Sequence, residues 1–316
     1  MESPFRRERR SPARWFAHWA SLAGALALLA SCGGGDRVSQ FVPGRIVAFG
    51  DEASVITPAG KKYTINVLDA NNAIDCVQRP IWVQYLAQSH ALPFAECPGT
   101  IAGPYVSKNY AAVGANVAAV TAQIEAHLAA DVFNGTDLVT VFVGGHDIRE
   151  QYALYDGSNL AALKTTLTTR GQALAAQINR VAALGGKVLV VTVPNVGQTA
   201  FGVAEEAATA GRAAVLLELT NTFNEEMRVP LVNDGRMIGL VDADAIVRNM
   251  VAAPAGFGLA DVKQAACAVA LPDCTTATLV AGASAAWMWA DLHQPGTVAH
   301  LQIGFTADQR TRNNPF

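Results

Sequence analysis

The 316 residues contain no C-x-x-C pair, no basic patch beyond the first 14 residues and no composition shift that would divide the chain into separate domains. Each absence removes a class. Without paired C-x-x-C spacing a zinc ribbon is not expected. Without clustered lysine and arginine in the body of the chain, nucleic-acid binding is not expected either. Charged residues make up only 16% of the sequence and hydrophobic ones 51%, a globular composition that excludes disorder and low complexity. No run of apolar residues is long enough to cross a bilayer as a stable helix.

The longest such run, Ala23 to Ala30, follows a basic start made by Arg6, Arg7, Arg9, Arg10 and Arg14 and precedes Leu29-Ala30-Ser31-Cys32. A basic start, a short apolar core and small residues before a cut form a secretory signal. The ending Leu-Ala-Ser-Cys resembles a bacterial lipobox. That resemblance implies cleavage after residue 31, lipidation of Cys32, and a flexible tether over residues 32–44 ahead of a domain spanning 45–316. Gly33 follows, not an aspartate, so the outer membrane is the expected destination. Loss of residues 1–31 removes five arginines and two glutamates and takes the net charge from −3 to −6. Cys76, Cys97, Cys267 and Cys274 remain, an even count that favours two disulfides in an exported chain. Pairing of sequence neighbours, Cys76–Cys97 and Cys267–Cys274, is expected among three connectivities.

Arg45 to Ser54, RIVAFGDEAS, carries a buried strand closed by Gly50, with Asp51 and Glu52 at its carboxyl end. Lys62 to Leu68 alternates like a strand or hairpin arm, and Pro80 to Ala87 reads as a short amphipathic helix. Asn109 to Ala115 leads into a helix marked by Val117, Val120, Ile124 and Leu128. Further buried strands run from Asp137 to Val143, Lys187 to Val193 and Met237 to Asp242. Between them, Asn159 to Leu184 holds one or two helices, and one long helix is expected over about Ala204 to Val229. A final helix begins near Thr297. Apolar strands alternating with helices predict a parallel sheet covered on both faces. Polar residues gather at the carboxyl ends of those strands: Asp51 and Glu52, His146 and Asp147, then Asn195. That edge is where open parallel sheets bind ligands.

Four stretches resemble the blocks of the GDSL, or SGNH, hydrolases. FGDEAS is similar to their FGDSLS, NYAAVGA to the second block, VTVFVGGHDI to the third (normally GGND), and WADLHQPGTVAH to the last (normally D-x-x-H-P-T). The resemblance spans about residues 45–305. It implies a three-layer α/β/α, flavodoxin-like fold with a mostly parallel sheet, no cofactor or metal, and hydrolysis of carboxyl esters by a serine nucleophile. The serine N–H, the second-block glycine and the third-block asparagine would hold the oxyanion. Carried over, the glycine is Gly114, but Glu52 stands at the serine position and His146 at the asparagine. The last block has two registers, one with Gln294 at the histidine position and one with His293, and neither gives a normal dyad with Asp291. Ser54 is the one hydroxyl near the first block and could serve only if its side chain reached the cleft.

Three readings follow. Glu52 could act as the base for a water in an ester hydrolase of altered chemistry, with His146 as electrophile and His293 and Asp291 as the remaining catalytic candidates. The domain could be catalytically silent and bind a glycan or acyl ligand. Glu52, His146 and His293 could converge on a metal ion. The expected partners are an ester-bearing lipid or glycan and, through Cys32, the membrane; the chain is expected to be a monomer.

Overall fold

The computed structural model describes residues 40–232 and 235–313. The signal segment, Cys32 and the tether as far as residue 39 lie outside the described residues. A five-stranded parallel sheet forms the centre: β1 (Arg45–Gly50), β2 (Lys108–Asn109), β3 (Asp137–Phe142), β4 (Lys187–Val191) and β5 (Ile238–Val241), in the order β2-β1-β3-β4-β5. Six pairs, from Arg45↔Asp137 to Gly50↔Phe142, bind β1 to β3. This is the flavodoxin-like order, and the expected fold class is the observed one. The chain steps from β1 to β2 on one side and then to β3 on the other. The switch point therefore lies between the carboxyl ends of β1 and β3, where such sheets open a crevice.

Alternate strand residues feed the two faces, as the period of two requires. Val47, Phe49, Val139, Val141, Val188 and Val190 pack under α2 (Val117–Ala130), α4 (Leu160–Ala183) and α6 (Arg212–Arg228). Ile46, Ala48, Leu138, Phe142, Leu189 and Val191 pack under α1 (Trp82–Ser89) and α8 (Thr297–Asn313). Trp82, Val83 and Leu86 of α1 are fully buried. At about 1.5–3 kcal/mol for each large apolar side chain, they hold the segment between Cys76 and Cys97 onto the sheet. The remaining helices are α3 (Gly145–Tyr152), α5 (Ala200–Ala208) and α7 (Ala243–Ala252). A small two-stranded sheet joins β6 (Asp261–Ala265) to β7 (Trp287–Trp289). The disulfides are Cys76–Cys97 and Cys267–Cys274, the sequence-neighbour pairing.

Two expectations need correction. The single helix over Ala204–Val229 is two, α5 and α6, broken where Gly211 takes φ +91°. The Lys62–Leu68 segment is not a strand but makes isolated bridges only, such as Ile56↔Lys62 and Leu68↔Ile74. Its organiser is Lys62, fully buried, whose Nζ donates to the carbonyls of Cys76 (3.1 Å), Gln78 (2.5 Å) and Arg79 (3.0 Å). Those bonds compensate a cation that burial alone would expel, and burial still lowers its pKa to about 8.

Gly144 shapes the crevice. It has φ +125°, and a Cβ there would fall 2.3 Å from Phe223 of α6. Only glycine lets the chain turn from β3 straight into α3 with α6 packed behind it.

Candidate active site

The turn after β1 is set by Asp51, whose Oδ1 accepts the Ala53 N–H at 3.0 Å and starts a single 3-10 turn over Glu52–Ser54. That turn directs the Glu52 side chain across the crevice. Glu52 Oε1 accepts the Gly114 N–H at 2.8 Å, and His146 Nε2 lies 3.0 Å from Oε1 and 2.8 Å from Oε2. Gly114 sits at φ +73° in the loop before α2, a loop tied down where the Ala112 N–H reaches the Gly50 carbonyl at 3.0 Å. His146 is the second residue of α3, and its neighbour Asp147 anchors that helix by accepting the Val117 N–H at 3.0 Å and an Arg170 donor at 3.1 Å.

Burial alone would raise the Glu52 pKa. The His146 hydrogen bond and the N–H groups of Glu52 itself and of Gly114 outweigh it and hold the carboxyl below its ordinary value. Glu52 is therefore an ionised carboxylate with both oxygens engaged, and His146 presents Nε2–H to it. The three donors are the ones the family resemblance assigns to an oxyanion hole.

The other wall of the crevice is organised differently. Asp291 Oδ1 accepts the backbone N–H groups of His293 (2.7 Å) and Gln294 (2.6 Å), so it braces its own loop and has no bond to the His293 ring. Burial raises the Asp291 pKa against those bonds. His293 packs on Phe201, with ring centroids 5.0 Å apart, and its Nδ1 is buried without a hydrogen-bond partner. Burial, then the charge of Arg149, lowers its pKa to about 4, so the ring is neutral at physiological pH.

A small cavity of about 40 Å³ lies here, lined among others by Asp51, Gly145, Arg149, Pro194, Trp289 and His293. Asp51 is 7% exposed. Burial, then the neighbouring Glu52 charge, pushes its pKa up to about 7. Burial pulls the Arg149 guanidinium below its ordinary value, opposed by Asp51, Glu52 and Asp291. Arg149 makes no ion pair within 4 Å among the described residues.

Of the residues singled out in the sequence, the fold brings Glu52, Gly114 and His146 into direct contact. It sets His293 and Asp291 on the opposite wall without a mutual side-chain bond. Ser54 is fully buried and its Oγ accepts from Trp82 Nε1 at 3.1 Å, so it does not reach the cleft. Asn195 braces the loop after β4 by accepting the Gly197 N–H at 2.9 Å. Among the described residues no three His, Cys, Asp or Glu side chains are grouped to hold a metal ion, which removes the convergence of Glu52, His146 and His293. Sequence reasoning missed Arg149. Its only signal was a position four residues after Gly145, one helical turn along α3, which lays its side chain back over the crevice.

No protein-family model and no curated protein matches the chain. Solved structures do. A member of the lipolytic protein G-D-S-L family from Veillonella parvula is 13% identical, with 84% of this chain and 97% of that one covered and a TM-score of 0.43. An acetylxylan esterase from Geobacillus stearothermophilus is 14% identical over 86% and 96%, with a TM-score of 0.46. An α/β hydrolase from the metagenome of Lake Arreo is 18% identical over 86% and 96%, with a TM-score of 0.39.

Proposed function

We propose that this chain is an exported, lipid-anchored domain with the frame of a GDSL-type ester hydrolase, whose cleft binds an ester-bearing lipid or glycan without turning it over through an acyl-enzyme. One observation carries the reading: the Glu52 carboxylate is bound by the Gly114 N–H and by His146 Nε2, the donors an ester oxyanion would need. An anion fixed there repels a second developing anion, and the serine that would form an acyl-enzyme is replaced. Asp291, spent on backbone N–H groups, does not orient His293 as a triad aspartate would. Anchoring through Cys32 would place the cleft beside membrane or wall material, and palmitate labelling abolished by Cys32→Ser tests that part.

The competing reading is water activation by Glu52, favoured by its 2.8 Å contact with His146. A carboxylate held below its ordinary pKa is a weak base, and both of its oxygens are already occupied. Hydrolysis of p-nitrophenyl acetate and butyrate by the purified protein decides between the two. We expect no turnover in wild type, Glu52→Ala or Glu52→Ser, because a serine at 52 would still lack an oriented histidine. Wild-type turnover lost in Glu52→Ala would sink the silent-site reading.

A further inference from the structure

The exposed apolar side chains are unevenly placed. Among the described residues the three most exposed large ones are Val229 (74%), Val42 (73%) and Val132 (69%). All three lie where the chain runs into the amino ends of strands: Val42 before β1, Val132 between α2 and β3, Val229 between α6 and β5. Val232 in that last connection and Leu184 between α4 and β4 are exposed as well. The connections touch one another. The Gly44 N–H donates to the Thr136 carbonyl at 2.8 Å, and Arg45 Nη2 to the Val132 carbonyl at 2.7 Å. A Cβ on Gly185 would stand 3.7 Å from Asn134, and Asn179 Nδ2, near the end of α4, donates to the Pro230 carbonyl at 2.9 Å. These apolar side chains therefore rim one edge of the sheet, the edge opposite the crevice. Single exposed valines need no explanation, but a contiguous rim marks a contact surface.

Charge and the path of the chain identify what the rim meets. Around Val132 and Leu184 the acidic groups Glu125, Asp131 and Asp137 are each paired with an arginine, Arg180 for the first and Arg45 for the other two. Beside Val229, Glu225 and Arg228 line one groove together. Lys187, whose Nζ donates to the Arg236 carbonyl at 2.8 Å, has no carboxylate within 4 Å among the described residues. Apolar side chains with neutralised acids and a spare cation are what an anionic lipid headgroup layer attracts. The chain from Cys32 also arrives here. Gln40 Nε2 donates to the Arg312 carbonyl near the end of α8 at 3.2 Å, and Phe41 packs on the core under α1 and α8. Eight peptide steps separate Cys32 from Gln40, a reach of at most ~29 Å. A tether of that length lets the domain turn over, so an anchor alone does not orient it. The apolar rim does.

We infer that this edge is a membrane-contact face: Val42, Val132, Leu184, Val229 and Val232 enter the headgroup layer of the bilayer that holds acylated Cys32, and Lys187 meets its anionic phosphates. The inference rests on the anchoring part of the reading above and adds an orientation to it. β1 is six residues long, so a rise of about 3.3 Å per residue puts the crevice roughly 20 Å above that layer, its mouth turned to the solution.

Depth measurement on the mature protein, made with its own signal segment and reconstituted from detergent into phosphatidylcholine–phosphatidylglycerol vesicles, tests it. Acylation blocks the Cys32 thiol and the other four cysteines are paired, so an introduced cysteine is the single site for a fluorescent label. Labels at Val132→Cys and Val232→Cys should be quenched at least ~2-fold by nitroxide-bearing lipid. Labels at Leu154→Cys, after α3, and Leu292→Cys, before α8, both exposed on the crevice side, should not be quenched. Val42→Asp, Val132→Asp and Val232→Asp combined should abolish quenching of a Leu184→Cys label while palmitate stays on Cys32. Equal quenching on the two sides, or stronger quenching at Leu154→Cys or Leu292→Cys, overturns the face and leaves the anchor standing. Disulfide cross-linking of two copies through Val132→Cys without lipid quenching overturns it in favour of a second copy of this chain. Absence of palmitate from the wild-type chain sinks the anchoring reading and this inference with it, so the two failures are separable.

Discussion

The two walls of the crevice carry similar residue types and treat them in opposite ways. Around Gly114 and the first turn of α3, the polar groups pair with one another: Glu52 takes the Gly114 N–H and His146, and Asp147 takes Val117 and Arg170. In the loop before α8, Asp291 is consumed by its own backbone and His293 Nδ1 is buried without a partner, and facing them Arg149, later in α3, makes no ion pair among the described residues. The first wall behaves as a complex already formed, with the protein supplying its own anion. The second behaves as a site still waiting for hydrogen bonds. The acidic residue of one turn, Glu52, thus closes one half of the crevice, while His293 Nδ1 on the other side stays unpaired.

The sharpest way to break this contrast is Glu52→Ala, which strips the anion from the satisfied wall. We expect a loss of about 2–4 kcal/mol in urea unfolding at pH 7, because charge-assisted hydrogen bonds disappear and the Gly114 N–H loses its acceptor. Acetate in the buffer should restore part of it. The Glu52 pKa is depressed in the fold, so against Glu52→Gln the wild-type advantage is full above the ordinary carboxylate pKa and fades as pH falls through the lowered value. A flat pH dependence would show that the carboxylate is not held as described.

Asp51→Asn probes the open wall and should go the other way. The Asp51 pKa is raised to about 7, so its penalty is absent below about 3.8, grows as pH rises towards 7 and is complete above that. The variant should be roughly 1–3 kcal/mol more stable than wild type at pH 8 and equal to it at pH 3.5. Equal stability at both values would mean that the buried carboxyl is already compensated.

The smallest effect is expected from Gly114→Ala. No heavy atom lies within 4 Å of the added methyl, so only the left-handed backbone at φ +73° resists it, at about 1 kcal/mol. The N–H stays in place. A cost as large as that of Glu52→Ala would mean that the loop, and not the carboxylate, carries the stability of that wall.

Much of the fold could be read from the chain because β1, β3 and β4 are continuous apolar runs ended by glycine or proline, and their order follows from parallel crossovers. The break at Gly211 was hidden because the apolar stripe of Leu216, Leu219 and Phe223 belongs to α6 alone, and nothing in α5 contradicts a longer helix. The alternation from Lys62 to Leu68 misled because one of its polar positions, Lys62, points inward to carbonyl oxygens. In the site, Glu52, Gly114 and His146 were legible from their places after strands and in the family blocks. Arg149 was not, since an arginine on a helix usually faces water, and only the turn at Gly144 brings its side chain back over the cleft.

The Lys62 ammonium is a cation built into the chain. Surrounded by the carbonyls of Cys76, Gln78 and Arg79, it plays the part that a bound cation can play, gathering backbone oxygens of an irregular loop around a point charge. Here the charge is tethered to the chain. It needs no scavenging from the medium, it cannot be removed by a chelator, and it is delivered in the right place each time the loop folds. That makes the arrangement of the stapled segment independent of the ions around it.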